Sequence, residues 1–210
     1  KNIPTGAGLG GGSSNAAKTL KILNLMWGLN LSDKILSEIG KELGADVPFF
    51  LQNKSCFVSG IGEKLLQLPN SCNLPHFFVV LVPNFSVSTR VIFESLRLKA
   101  FSNPINPTFL CANQPHFKSD ESQDKIWNFG RNDMEKTTCR KYPAVKSFLD
   151  LLKKFAKLNY LPESSCRMSG TGGAVFCSTP TLALAEKIQK EIKSNYDKQF
   201  LVKVCQRLLN

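Results

Sequence analysis

Pro4-Thr5-Gly6-Ala7-Gly8-Leu9-Gly10-Gly11-Gly12-Ser13-Ser14-Asn15-Ala16-Ala17 is the stretch on which the reading of this chain turns. Glycine stands at positions 6, 8, 10, 11 and 12, and a helix-forming sequence follows without a break. Glycine permits positive φ and close backbone approach. Such a loop can turn several N–H groups to one side and end at a helix N-terminus, where unpaired amides and the helix dipole favour an anion. The run is therefore read as a phosphate cradle, with its polar end turned toward a reacting nucleotide. It is not a Walker A loop, because no Gly-Lys-Ser/Thr follows the glycines. Nor is Gly6 to Gly11 a dinucleotide fingerprint, since little chain precedes it to form the first strand of a βαβ unit. A plain flexible glycine turn is the competing reading.

Beyond the loop, a first helix is expected through about Trp27, capped by Ser13 or Ser14. Ser32 suits the N-cap of a second helix, with Leu31 and Leu36 spaced as a hydrophobic staple and Ile35, Leu36, Ile39 and Leu43 as its buried stripe. Gly44 stops that helix, and Gly44-Ala45-Asp46-Val47-Pro48-Phe49-Phe50 then places one acid between a helix stop and an apolar run. Asp46 reads either as a turn or capping residue, or as a carboxylate held at a rigid junction where it can orient and deprotonate an attacking hydroxyl.

Strands are predicted at Cys56–Ser59 and 63–68 around a glycine turn. A buried central strand is predicted at Phe77–Val82, apolar on both faces. Thr89 is expected to cap a short helix on which Phe93 either stacks on a ligand base or fills the core. Lys99 to Trp127 is rich in Pro, Asn and Ser and reads as irregular. Asn132-Asp133 opens another short helix, and Pro143 suits the first position of a longer one. The second glycine-rich signal, Met168-Ser169-Gly170-Thr171-Gly172-Gly173-Ala174-Val175-Phe176, predicts a tight loop followed by a buried strand. Thr179-Pro180 is expected to cap a final helix, and Phe200–Val204 to add a terminal strand, closing a compact sandwich of helices on a sheet.

Composition narrows the partners. The net charge of +11 can attract nucleic acid, anionic lipid or a phosphorylated substrate. The lysines are spread over several segments, and no zinc finger, aromatic RNP strand or basic-region helix is present, so nucleic acid is not expected. No apolar stretch reaches spanning length and the start does not read as a signal peptide, so neither membrane nor secretion is expected. Seven scattered cysteines read as reduced thiols rather than a disulfide framework. His76 and His116 are far apart and lack a cysteine pattern, so structural zinc is not expected.

Three segments, in order, carry a family resemblance. Pro4 to Ala17 resembles motif two of the galactokinase–homoserine kinase–mevalonate kinase–phosphomevalonate kinase superfamily. Gly44 to Phe50 resembles its catalytic-aspartate segment, and Ser169 to Phe176 its third glycine-rich motif. Leu9 to Ala17 taken with Gly44 to Pro48 resembles the branch whose acceptor is 4-diphosphocytidyl-2-C-methyl-D-erythritol. Gly60-Ile61-Gly62-Glu63 and Ser88 to Phe93 resemble further segments of that branch.

The resemblance implies an α+β, two-domain small-molecule kinase. Residues 1–72 would be the C-terminal part of an ATP-binding S5-like domain, and residues 73–210 a ferredoxin-like, substrate-side domain. It implies ATP-dependent phosphorylation of the acceptor's 2-hydroxyl in non-mevalonate isoprenoid biosynthesis, with ATP and Mg2+, in the cytoplasm. Asp46 would be the catalytic acid–base residue. Pro4, Gly6, Gly8, Leu9, Gly10, Gly11, Gly12, Ser13 and Ser14 would hold the nucleotide phosphates, Ser14 also touching the metal. Asp46, Thr89, Phe93, Gly170, Thr171 and Gly172 would face the cytidyl diphosphate substrate.

The chain departs from the family at Asn84, where glycine is frequent. Lys1 does not match the family's catalytic lysine, and a companion N-terminal segment is expected to supply that lysine, the initial strands and part of the cytidyl pocket. A homodimer is compatible with the reading. The alternatives are another small-molecule kinase of the superfamily and a nucleotide-binding fragment without catalysis.

Overall fold

The structure is a computed structural model that describes residues 4–60, 62, 64–68, 74–96, 132–196 and 200–207. Lys1, His116 and the segment 99–127 lie outside the described residues. The chain divides into two compact units, one taking Lys1–Leu9 with Asn73–Arg207, the other built on Gly10–Cys72. The division falls inside the glycine run, so Pro4–Leu9 group with the larger unit rather than with the rest of the expected 1–72 domain.

The smaller unit is helical with one hairpin. Helix α1 spans Gly11–Met26, α2 Asp33–Leu43 and α3 Val47–Gln52, followed by antiparallel strands β1 (Cys56–Ser59) and β2 (Lys64–Gln67). Neither Ser13 nor Ser14 caps α1. The helix begins three to four residues earlier, with Gly10 as its N-cap in the left-handed region at φ 63°. The glycines themselves make the entry, leaving both serines inside the first turn. Ser32 does cap α2, its Oγ accepting from Ile35 N–H at 3.4 Å. Asn24 pins the preceding linker by donating to Leu31 O and accepting from Leu31 N–H.

The core of this unit is small: Ala17, Leu36, Val47 and Leu51, with Ala16, Leu20, Leu31 and Phe50 packed against it. Of the expected α2 stripe only Leu36 is buried. Ile35, Ile39 and Leu43 are exposed, as are Leu25 and Met26 of α1. On α2 the buried positions are Leu36 and Gly40.

The larger unit is a four-stranded antiparallel sheet covered by helices. Strand β3 is Phe77–Pro83, β4 Cys166–Met168, β5 Val175–Thr179 and β6 Phe200–Gln206, in the order β4-β5-β3-β6. Between them lie α4 (Thr89–Ser95), α5 (Glu135–Lys141), α6 (Pro143–Leu158) and α7 (Leu182–Asn195). The path β3–α6–β4–β5–α7–β6 is a pair of split β-α-β units, the ferredoxin-like arrangement. β3 is central, paired with β5 on one side and β6 on the other, and its last five residues are buried, as an apolar run without alternation predicts.

One sheet face, with Val79, Leu81 and Val175, packs on α6 and α7. The other holds Val80, Val82 and Ala174 with Ala7 of the glycine run. Cys166 and Cys177 face each other across β4 and β5 as free, buried thiols. The hydrogen bond to Cys177, reinforced by burial, pushes the Cys166 thiol well above its ordinary range.

Two caps differ from expectation by one or two residues. Ser88, not Thr89, caps α4, accepting from Val91 N–H at 3.4 Å. Thr181, not Thr179, caps α7, accepting from Leu184 N–H at 3.2 Å. Thr179 ends a buried strand and donates to backbone oxygens instead. Asn84 does not take a positive φ, so a side chain at this turn is accommodated without strain. Among the described residues no helix is long and apolar enough to cross a membrane.

Candidate active site

Within the larger unit, the first half of the glycine run is tied into the sheet. Val87 N–H donates to Gly6 O at 3.1 Å, and Ala174 N–H donates to Ala7 O at 2.9 Å. Gly6, Gly8 and Gly10 all take positive φ, at 68°, 71° and 63°. Such alternation of left-handed residues with ordinary ones is the backbone pattern from which anion-binding nests are built. Gly8 is glycine for a second reason. A Cβ there would overlap the Ser169 carbonyl oxygen and stand 2.7 Å from that of Gly172. The Ser169 hydroxyl also donates to Gly8 O at 2.7 Å. The two glycine-rich segments, far apart in sequence, are thus in backbone contact.

The same unit brings together two residues singled out separately in the sequence. The hydroxyls of Thr89 and Thr171 are 3.0 Å apart and hydrogen-bonded. Thr89 is free for this because Ser88 does the capping. Phe93 lies one turn further along α4, on the same face as Thr89. Its neighbour Ile92 is completely buried and anchors the helix, a burial worth about 1.5–3 kcal/mol. Phe93 itself is 51% exposed, so the core-packing reading of this residue does not hold. Gly170 is exposed, whereas Thr171 and Gly172 are buried; Gly172 packs against Gly8, Met168 and Thr138.

The smaller unit carries the second half of the run. Ser14 N–H donates to Gly10 O at 2.9 Å, the first bond of α1, so the amides before it belong to the unpaired first turn. No acidic residue stands in that turn, and a Cβ built on Gly12 would meet nothing within 4 Å. An open, uncompensated helix N-terminus of this kind accepts an anion.

Asp46 is the N-cap residue of α3, yet its side chain makes no capping hydrogen bond, and it is exposed. Asp46 thus occupies the turn that opens α3 without using its carboxylate as a cap. Helix α3 is set against the loop by Phe50: a Cβ on Gly10 would stand 2.6 Å from the Phe50 ring. The loop's last left-handed glycine and the helix that Asp46 opens are packed on each other.

Three residues of the larger unit were not singled out as functional by sequence. Asn132 donates to Met168 O at 3.0 Å and to Gly170 O at 2.7 Å. Glu135 accepts from Met168 N–H at 2.9 Å, and Thr138 donates to Thr171 O at 3.0 Å. The signal was present in Asn132-Asp133-Met134-Glu135, whose spacing is that of a capping box. Asn132 Oδ1 still accepts locally from Met134 N–H, but its amide hydrogens and the Glu135 carboxylate turn to the glycine segment. Glu135 also faces Arg167; burial pulls that guanidinium down and the carboxylate opposes the shift.

Residues 1–54 match the model of the GHMP kinases N terminal domain. A 4-diphosphocytidyl-2-C-methyl-D-erythritol kinase of Paraburkholderia xenovorans is 38% identical over 201 residues, covering 94% of this chain and 62% of the relative. One of Nitrosomonas eutropha is 36% identical over 194 residues, 91% of this chain and 61% of the relative. The chain is similar to the GHMP kinases along most of its length. It spans about 62% of the length of the relatives it matches. A crystal structure of a 4-(cytidine 5'-diphospho)-2C-methyl-D-erythritol kinase superposes with a TM-score of 0.73 at 26% identity, over 98% of this chain and 69% of that one. A homoserine kinase from Cytophaga hutchinsonii, at 20% identity and TM-score 0.67, shares the fold over 100% of this chain and 68% of its own. The chain shares the α+β, two-domain architecture of those structures.

Proposed function

We propose that the protein transfers the γ-phosphoryl group of ATP to the 2-hydroxyl of 4-diphosphocytidyl-2-C-methyl-D-erythritol. The observation that carries this reading is the 38% identity with a kinase named for that acceptor, along 94% of the chain. The geometry supports it at the residues that matter. In phosphoryl transfer most of the protein's work is positioning and electrostatic stabilisation. Gly8, Gly10, Gly11 and Gly12 present backbone N–H groups to phosphate oxygens, and Ser13 and Ser14 add hydroxyls in the first turn. Pro4, Gly6 and Leu9 complete the loop.

Asp46, exposed and engaged in no capping bond, orients the acceptor hydroxyl and takes its proton as the phosphoryl group departs. Phe93 offers an exposed ring to the cytosine base, with Thr89 and Thr171 linked beside it on the acceptor side. Gly170 and Gly172 shape that segment.

Mg2+ takes few protein oxygens when phosphates and water supply the rest, and the Ser14 hydroxyl is a hard oxygen donor that fits this use. Bound there with the nucleotide, the ion would neutralise charge on the phosphates. Residues 1–72 are the ATP side in this reading, and residues 73–210 the acceptor side.

ADP release by the full-length protein, coupled to a reporter enzyme, tests the assignment. Acceptor-dependent turnover is expected with the cytidyl substrate. Turnover with homoserine or mevalonate instead would move the protein elsewhere in the family, and ATP binding without turnover on any of them would leave a nucleotide-binding fragment.

A further inference from the structure

We infer that Asn132, Glu135 and Thr138 are positioning residues that hold the third glycine-rich segment, and through it Gly8 of the phosphate loop, in working register; the inference rests on the kinase reading above. Strand parity shows what the first two do. Ser169 N–H donates to Ala174 O at 2.9 Å, one of the two bonds of a hydrogen-bonded position, while Ala174 N–H turns to Ala7 O. Met168, opposite Val175, is then a non-hydrogen-bonded position, and its N–H and C=O point away from β5. Among the described residues β4 is the outer strand there. Its two outward groups are met by side chains: Glu135 accepts from the N–H and Asn132 donates to the C=O. Asn132 and Glu135 thus replace a neighbouring strand for one residue.

The same asparagine reaches two residues further, donating its second hydrogen to Gly170 O while its Oδ1 accepts from Met134 N–H at 3.0 Å. Thr138, fully buried, takes the next carbonyl, that of Thr171. Side chains three apart therefore grip residues 168, 170 and 171 in turn. What is gripped then acts on the site. Ser169 holds Gly8 by its hydroxyl, and Thr171 holds Thr89 by its own.

The chemistry demanded at each position is specific. Position 132 must donate twice and accept once, which an ionised aspartate cannot do. Position 135 needs only to accept, which glutamine can do. A displacement of about 1 Å at a positioning group can lower the rate about 100-fold.

The test uses the full-length protein with Glu135→Ala, Glu135→Gln and Asn132→Asp. Three quantities are read: amide hydrogen exchange at Met168, turnover per folded molecule, and ATP affinity by calorimetry. Glu135→Ala and Asn132→Asp are expected to lose at least about 10-fold in turnover, with faster exchange at Met168 in the alanine variant. Glu135→Gln keeps the accepted bond but loses the charge facing Arg167, and is expected to stay near the parent protein on all three.

Parent-like turnover per folded molecule in Glu135→Ala overturns the inference. So does a glutamine variant as impaired as the alanine one, or a loss confined to melting temperature. Where Glu135→Ala does not fold, Thr138→Val, which removes only the hydroxyl bond, carries the same comparison. If the parent protein does not use the cytidyl acceptor, the substrate reading falls while exchange and ATP affinity still decide: both altered in Glu135→Ala and restored in Glu135→Gln sustain the clamp, and both unaltered sink it.

Discussion

The Ser169 hydroxyl donates to the Gly8 carbonyl oxygen at 2.7 Å across 161 residues of chain. This bond, with the backbone contact beneath it, fixes where the first part of the glycine run, through Gly8, lies on the sheet of the larger unit. The two sides of the contact differ in what they tolerate. Ser169→Ala removes one hydrogen bond, an effect of about 0.5–1.5 kcal/mol. Gly8→Ala places a Cβ on the Ser169 carbonyl oxygen and adds the strain of a left-handed alanine, about 1–2 kcal/mol by itself. Thermal unfolding should therefore show a much larger drop for Gly8→Ala, with weakened ATP binding in whatever folds. A Gly8→Ala variant as stable as Ser169→Ala would refute the close approach.

Asp46→Asn is expected to lower phosphoryl transfer about 100-fold or more, the scale of a positioned proton-transfer group. Stability should not change: the carboxylate makes no capping bond, and Asn serves as well as Asp at an N-cap. Turnover and melting temperature measured on one preparation separate the two effects. Near-parent turnover would remove Asp46 from the chemistry.

Phe93→Ala should weaken the cytidyl acceptor while leaving ATP affinity and stability nearly unchanged. The ring is half exposed, and α4 is anchored by its buried neighbour Ile92. Loss of a stacking platform for one base is worth about 1–3 kcal/mol in single-strand binders, a fair scale for this ring. A parallel fall in stability and in both affinities would return Phe93 to the core.

What the sequence disclosed, and what it withheld, follows from the range of the interactions. The buried strand Phe77–Pro83 was legible because both its faces are covered and its residues are uniformly apolar. The α2 cap at Ser32 was legible because capping is local. Asp46 could be marked as an acid at a junction, but its freedom from capping is a matter of rotamer and surroundings. The α2 stripe misled because periodicity shows which face is apolar, not how much of it neighbours reach. Asn132-Asp133 was read as opening a helix, which begins at Glu135; the contacts of Asn132 and Glu135 lie 33 to 38 residues away at Met168 and Gly170, beyond any local pattern.

One strained residue lies outside the site and offers a test of the fold alone. Helix α6 ends in a Schellman motif: Leu161 N–H donates to Ala156 O at 2.9 Å and Tyr160 N–H to Lys157 O at 3.1 Å. The position between cap and closing residue is usually glycine, yet here it is Tyr160, at φ 59°. The side chain is 98% exposed, so no burial offsets the left-handed backbone. Tyr160→Gly relieves strain of about 1–2 kcal/mol. It also adds conformational freedom to the unfolded chain, which returns about 0.5–1 kcal/mol of that gain. The net expectation is a protein more stable by about 0.5–1 kcal/mol, seen as a higher urea midpoint with an unchanged slope. Tyr160→Ala is the control, since it keeps the Cβ and should gain nothing. Equal midpoints for the glycine and alanine variants would show that Tyr160 carries no backbone strain.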